Sequence, residues 1–324
     1  MNIKPIILSA SLFVLAACVG NQKKAEQFSA LPFPDVVPPA MMEDAQDRAE
    51  YMALHWWDGL TDPSRGFPCD SVLVSGVRRS DVEQKFANWT NVLGMIDMHA
   101  AEKSLVRLYD RAYACEKKDT ASSMFETFRD LVVKYLYDPN SPLRNEDHYA
   151  FYAARLADSD VVEKVMQEKY AREVRLAAMN KVGTKAADFR FSDKRGRMHT
   201  LYGIRSSLTL LFFSNPGCTA CKDIIDVLNN DPVISGLIAE GTLTVLNIYI
   251  DEDLEAWRSY MSIYPEAWYN GFDPDLVIRG ETLYNVRAIP SLYLLDKDKV
   301  VIMKDAPEAR VFEWLASTAQ VPQM

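Results

Sequence analysis

Two cysteines three residues apart, Cys218 and Cys221, are the residues whose types and spacing point most directly to chemistry. They follow a continuous apolar run, 208–214, which predicts a strand buried on both faces, and they open a stretch with helical apolar spacing. Unpaired amide N–H groups and the positive end of the helix dipole at such a position favour a thiolate. The first cysteine is then the expected nucleophile, and the second is the expected resolving thiol of a thiol–disulfide exchange.

The elements that must position this dithiol form two groups. From 36 to 180, apolar residues recur at three- and four-residue steps, as at Val82, Phe86 and Trp89, and predict helices. From 181 to 324, strand and helix patterns alternate. The sequence therefore predicts an all-α N-terminal domain followed by an α/β C-terminal domain. The predicted strands of the second domain are 187–191, 208–214, 243–250, 291–295 and 300–303, with a loop around 268–269.

Composition sets wider limits on the kind of protein. The chain has 324 residues, 48% of them hydrophobic and 25% charged, which is typical of an ordinary globular protein of two folded units. Its formal net charge of −9 gives no electrostatic reason to expect nucleic acid as a partner.

The segment 182–318 resembles the thioredoxin-like family, specifically the membrane-anchored thiol-disulfide oxidoreductases of the TlpA/ResA type. The resemblance is carried by the cysteine pair and by the segment 286–291, which is similar to the family loop that contains a cis proline. It implies that Cys218 and Cys221 are catalytic as a redox-active disulfide, without a separate cofactor. It also implies that Ile289 and Pro290 bind substrate, the backbone of Ile289 pairing with an extended peptide.

The sequence departs from that family in three ways. Gly217 stands where thioredoxin has tryptophan, and the positions of the buried acids of the family fall at Phe212 and Ile224, which are apolar. Deprotonation of Cys221 would then depend on water. No histidine lies between the two cysteines, and this absence favours a reductase or mild exchanger over a disulfide-forming oxidase.

The N-terminus has the pattern of an export signal. An apolar run too short to span a bilayer ends in Leu15-Ala16-Ala17-Cys18, which resembles the lipobox of bacterial lipoproteins. The resemblance implies a signal peptide at 1–17, acylation of Cys18 and a tether over 18–35. Val19, which is not aspartate, implies the outer rather than the inner membrane, facing the periplasm. The expected partners are the membrane, through the lipid anchor, and the disulfides or thiols of envelope proteins. An ordinary signal peptide that ends near a cysteine is the alternative.

Two further cysteines, Cys69 and Cys115, lie in the helical domain, 36–180. In an oxidising compartment they could form a structural disulfide. Two separate buried thiols are the alternative, and the sequence does not decide between them.

No metal site is expected. A single Cys-x-x-Cys supplies two ligands and no second pair follows it. The acids and histidine of 146–148 are interpreted as the solvated first turn of a helix. The helical domain resembles an uncharacterised domain that precedes thioredoxin-like domains in some Gram-negative lipoproteins, which implies no activity.

Two functional hypotheses follow. In the first, the chain is a membrane-anchored enzyme that reduces or exchanges disulfides in other envelope proteins. In the second, the same fold is a non-catalytic binding module and the bond between Cys218 and Cys221 is only structural. The reactivity of Cys218 distinguishes the two.

Overall fold

The structure is a computed structural model, and it describes residues 29–67 and 69–318. The predicted signal peptide, Cys18 and most of the predicted tether lie outside the described residues. Within the described ranges, no helix is long and apolar enough to cross a membrane.

The N-terminal domain is helical, as the apolar periodicity predicts. A π-helical turn, Val133–Tyr137, continues its fourth helix, and a small antiparallel hairpin precedes the second helix. The sequence pattern did not predict this hairpin. The helices are α1 (Ala45–His55), α2 (Arg79–Leu93), α3 (Met98–Lys118), α4 (Met124–Val132), α5 (Glu146–Ala157) and α6 (Lys164–Ala177), and the hairpin strands are β1 (Leu73–Val74) and β2 (Val77–Arg78).

Side-chain caps and an aromatic core explain this arrangement. The carboxylates of Asp44 and Asp97 accept backbone N–H groups at the starts of α1 and α3, which satisfies donors that the helix leaves free. The long helix α3 then lies against α1, α4 and α5. Between the helices, the ring of Trp57 meets that of Phe128 edge to face at 4.7 Å. Burial of these large rings stabilises this domain.

The C-terminal domain is α/β, as predicted, and contains a seven-stranded mixed sheet with helices on its faces, two strands more than the five that the sequence predicts. One prediction was wrong: the residues around 269 form an interior strand of this sheet, paired on both sides, and not a loop. The strands are β3 (Arg190–Asp193), β4 (Met198–Thr200), β5 (Leu208–Phe213), β6 (Leu243–Tyr249), β7 (Tyr269–Phe272), β8 (Ser291–Leu295) and β9 (Val301–Met303). They lie in the order β4-β3-β7-β6-β5-β8-β9. The helices are α7 (Thr219–Asn230), α8 (Pro232–Ala239), α9 (Leu254–Ser259), α10 (Val277–Gly280) and α11 (Glu308–Thr318).

The strand β5 is the centre of this sheet. It pairs in parallel with β6 and antiparallel with β8, and its residues from Thr209 to Phe213 are all buried. Alternate side chains therefore enter two separate cores: Leu210 and Phe212 pack under α7 and α11, whereas Leu211 and Phe213 pack on the opposite face. Burial on both faces explains the continuous apolar run in the sequence.

The start of α5 is buried, so the prediction of a solvated first turn was wrong. Glu146, Asp147 and His148 are only 2%, 8% and 4% exposed, because this end of the helix is inserted against the C-terminal domain. A cavity of about 200 Å³ beside them is lined by both domains. Burial, assisted by the charge of Arg310, lowers the pKa of His148 from 6.5 to about 4.

The low pKa of His148 predicts an acid-sensitive stability. Because the unfolded chain binds a proton on this histidine near pH 6.5 and the folded chain only near pH 4, the contribution of His148 is complete above pH 6.5 and is lost as the pH falls to 4. The loss is about 3 kcal/mol. We expect His148→Gln to flatten the fall in urea-unfolding free energy across this window.

The matched control is His99→Gln, since the side chain of His99 is 73% exposed and does not enter either core. This variant should keep the pH slope of the wild type. An unchanged slope in His148→Gln would contradict the burial argument.

Candidate active site

Cys218 and Cys221 lie where β5 gives way to α7, as the sequence predicts. Cys218 is the N-cap of α7, and its Sγ accepts the backbone N–H of Cys221 at 3.1 Å. The two cysteines are joined by a disulfide, with their Cα atoms 5.2 Å apart. Gly217 has φ +75°, a left-handed conformation that strains residues with a side chain. This conformation gives a physical reason for glycine where thioredoxin has tryptophan.

The two sulfur-bearing residues differ in access. Cys218 is half-buried, whereas Cys221 is 2% exposed and packs in the apolar core with Phe212 and Ile224. An incoming disulfide therefore meets Cys218 first. The side chains at the two family acid positions are apolar and buried, and Asp223 is exposed. Neither family acid position therefore supplies a carboxylate to the core beside Cys221, and the carboxylate of Asp223 lies at the surface.

Sheet register brings the proline loop to the dithiol. Phe213, the last residue of β5, pairs with Ser291, the first residue of β8. The residue before Ser291 is Pro290, and its bond to Ile289 is cis. The chain segments that leave β5 and enter β8 therefore lie side by side, with Cys218 on one and Ile289 on the other. Two residues that are far apart in sequence form one site for this reason.

A cluster of buried charges lies directly behind the proline loop, and the sequence analysis did not find it. The guanidinium of Arg287 is 2.6 Å from a carboxylate oxygen of Glu146 and 2.8 Å from one of Asp305. The ammonium of Lys304 is 2.9 Å from the other oxygen of Glu146. Burial raises the pKa of Glu146, against the opposing effect of the two cations. Glu146 belongs to the helical domain and the other three residues to the C-terminal domain.

Hydrogen bonds join this cluster to the site and to both domains. Ser291 donates its hydroxyl to Asp305 at 2.7 Å, which holds the first residue of β8. Arg144, 8% exposed, donates from the helical domain to the backbone carbonyls of Asp305 and Ala306 at 2.9 and 3.0 Å. The charged residues of the helical domain thus hold the segments that flank the proline loop.

The remaining cysteines lie elsewhere. Cys69 and Cys115 are unbonded in this structure and line one cleft of about 620 Å³ in the helical domain. Cys69 accepts the backbone N–H of Ser75 at 3.1 Å, and burial raises the pKa of the Cys115 thiol. Their pairing in an oxidising compartment stays a prediction. Among the described residues, no three His, Cys, Asp or Glu side chains are grouped to hold a metal ion.

Comparison with solved structures agrees with the fold. A crystal structure of a thioredoxin-like protein from Bacteroides caccae is 34% identical to this chain, covers 89% of it and 99% of its own length, and superposes with a TM-score of 0.75. The C-terminal domain of an uncharacterised protein from Bacteroides fragilis is 46% identical over 42% of this chain and 98% of its own, with a TM-score of 0.41. A domain of a possible thiol-disulfide isomerase from Cytophaga hutchinsonii is 25% identical over 44% of this chain and 95% of its own, with a TM-score of 0.38.

The mixed sheet, the dithiol at a helix start and the cis proline define the class: the C-terminal domain is thioredoxin-like, with the fold of thiol-disulfide oxidoreductases. The helical domain allows a more particular statement. Residues 18–180 match the family described as "Domain of unknown function (DUF5106)", and the chain belongs to this family. Comparison with curated proteins gave no match.

The buried cluster predicts a large loss of stability when one charge is removed. Arg287→Met leaves Glu146 and Asp305 buried with one cation fewer, and we expect the free energy of unfolding in urea to fall by about 3–5 kcal/mol. Arg190→Met, which removes an exposed ion pair to Asp275, should change it by less than about 1 kcal/mol. Equal losses in the two variants would contradict the role assigned to burial.

Proposed function

We propose that this protein is a membrane-anchored thiol-disulfide oxidoreductase that reduces or exchanges disulfides in envelope proteins. The observation that carries the proposal is the unequal access of the two sulfurs: Cys218 is half-buried at a helix start and Cys221 is enclosed in the core. A structural disulfide requires no such difference. A nucleophile that must meet other proteins and a resolving thiol that must be shielded from them do require it.

The reaction follows from this geometry. The thiolate of Cys218 attacks one sulfur of a substrate disulfide, a mixed disulfide forms, and the other substrate sulfur leaves as a thiolate. Cys221 then attacks Sγ of Cys218, so that the second substrate sulfur leaves and the bond between Cys218 and Cys221 forms. Two electrons pass to the substrate, whose thiolates take protons from water. A thiol reductant must then reduce Cys218 and Cys221 again, and no separate cofactor takes part.

The chemistry of each sulfur is assisted by a different part of the site. The amide N–H of Cys221 and the dipole of α7 stabilise negative charge on Cys218. The Ile289 backbone, beside the cis proline, offers peptide groups to an extended substrate chain. Because Phe212 and Ile224 surround Cys221 with apolar side chains, water is the proposed acceptor of its proton. Without a histidine between the cysteines, the proposed direction is reduction or mild exchange.

The proposed location rests on the N-terminal sequence. Acylation of Cys18 would attach the chain to the outer membrane, and the segment 18–35 would carry the folded domains into the periplasm. Acyl chains supply stable attachment without a membrane-spanning helix.

The enzyme proposal predicts opposite effects of the two cysteines. Cys218→Ser should abolish the protein's acceleration of insulin reduction by dithiothreitol, because the accessible nucleophile is removed and the remaining thiol, Cys221, is enclosed in the core. Cys221→Ala should instead accumulate mixed disulfides with envelope proteins, visible as adducts on non-reducing gels. Cys115→Ala, a change of a half-buried thiol far from the site in sequence, should do neither. A wild type that does not accelerate insulin reduction would favour the non-catalytic binding module, and full acceleration by Cys218→Ser would contradict the role assigned to Cys218.

The anchor proposal has an independent test. Cells that express the wild-type chain should incorporate an alkyne analogue of palmitate into it, and Cys18→Ala should not incorporate the label. A wild-type protein without label, or a labelled Cys18→Ala variant, would remove the lipid anchor from the proposal.

A further inference from the structure

A cleft of about 350 Å³ opens beside the dithiol, and both domains line it. On the thioredoxin-like side it starts at Ala220, between the two cysteines, and at the cis proline, Pro290. On the opposite side stand Asn140 and Pro142, which belong to the helical domain. A substrate that reaches Cys218 along this cleft would therefore contact both domains at once.

The wall from the helical domain is held rigidly. This wall is formed by residues 138–142, called the 138–142 segment below. Within it, the backbone N–H of Asn140 donates to the Asp138 carboxylate at 2.8 Å, and the hydroxyl of Ser141 donates to the carbonyl of Tyr135 at 2.7 Å. Arg144, two residues after the segment, is bonded to the backbone just before α11. The segment is thus fixed to its own domain and, through Arg144, to the thioredoxin-like domain.

We infer that the 138–142 segment is the second wall of the substrate cleft, and that it selects extended polypeptides with an apolar side chain beside the target cysteine and a basic one further along. This inference rests on the proposed function, since it names the class of substrate for the same dithiol. The DUF5106 domain would then contribute to specificity as well as to the distance from the membrane.

The chemistry of the cleft supports this class of substrate. Ile224, Ile289 and Phe312 give it an apolar surface, on which an aliphatic or aromatic side chain loses contact with water. Asp223 and Glu308 are exposed carboxylates of the same lining. They outnumber its one cation, Arg144, which is buried and bonded to backbone carbonyls, so the lining favours a basic side chain. The cleft volume suits one or two side chains and not a folded domain. Its continuity with the cis-proline loop suits an extended chain.

Small and polypeptide disulfides should respond differently to changes in this wall. Hydroxyethyl disulfide can reach Cys218 without occupying the cleft, whereas a peptide cannot. The probes are hydroxyethyl disulfide and an eight-residue peptide whose one cysteine carries a hydroxyethyl disulfide, with leucine beside the cysteine and lysine two residues further on. For each variant, the measured quantity is the ratio of the two second-order rate constants with the reduced protein.

The first test narrows the cleft from the helical side. Asn140→Trp should lower the peptide-to-small-disulfide ratio by about tenfold, because the indole occupies space that the peptide needs. Asn91→Trp makes the same change at an exposed position of α2 outside the cleft and should keep the wild-type ratio.

If Asn140→Trp does not fold, as judged by urea unfolding, Asn140→Lys replaces it. The lysine variant should lower the ratio for the lysine peptide and raise it for a glutamate peptide, with Asn91→Lys as its control.

The second test concerns charge. At low ionic strength the wild type should prefer the lysine peptide to the glutamate peptide, and Glu308→Gln should reduce that preference by about half or more. Glu313→Gln, on the same helix but outside the cleft, should retain it.

Equal ratios for the substituted Asn140 variant and its Asn91 control would overturn the inference and leave the proposed function intact. A wild-type protein that fails to react with hydroxyethyl disulfide would overturn the proposed function itself, and the inference with it.

Discussion

Three cations and two carboxylates are buried between the two domains: Arg144, Arg287, Lys304, Glu146 and Asp305. The geometry of the active site depends on their arrangement. Each of these groups loses favourable contact with water, and only close ion pairs and hydrogen bonds offset that cost. The contacts of Arg287 with Glu146 and Asp305 therefore hold the helical domain against the sheet. Arg287 lies three residues before the cis proline, so the same contacts fix the loop that faces Cys218. The geometry of the dithiol site is in this sense a property of both domains.

Much of the fold could be predicted because its signals are local. A helix such as α3 repeats its apolar residues at the spacing that its own geometry requires, and β5 is continuously apolar because both of its faces are covered. The weaker elements were missed for a related reason. The hairpin of β1 and β2 is only two residues long on each side, and β7 is only four residues long, with a pattern that resembles an aromatic loop.

The dithiol and the proline were found from sequence, since each carries its own motif and the family resemblance relates them. The charge cluster could not be found in that way. Glu146 lies in the first turn of a helix, where an acid is usually solvated, and its partners are distant: Asn285, which donates to it, is 139 residues further along the chain. Nothing near Glu146 in the sequence indicates that a second domain covers this turn. Contacts with residues distant in sequence determine whether such a group is buried, and the local sequence pattern does not indicate those contacts.

The sulfur that caps α7 has a further consequence for the reduction potential of the cysteine pair. A thiolate at the N-cap interacts with the helix start more favourably than a neutral disulfide sulfur does. The dithiol and disulfide forms must therefore differ in folding free energy. A thermodynamic cycle links this difference to the reduction potential of the pair, measured against the same two cysteines in an unfolded chain. Denaturation of the two forms and redox equilibration of the native protein would thus report one and the same quantity.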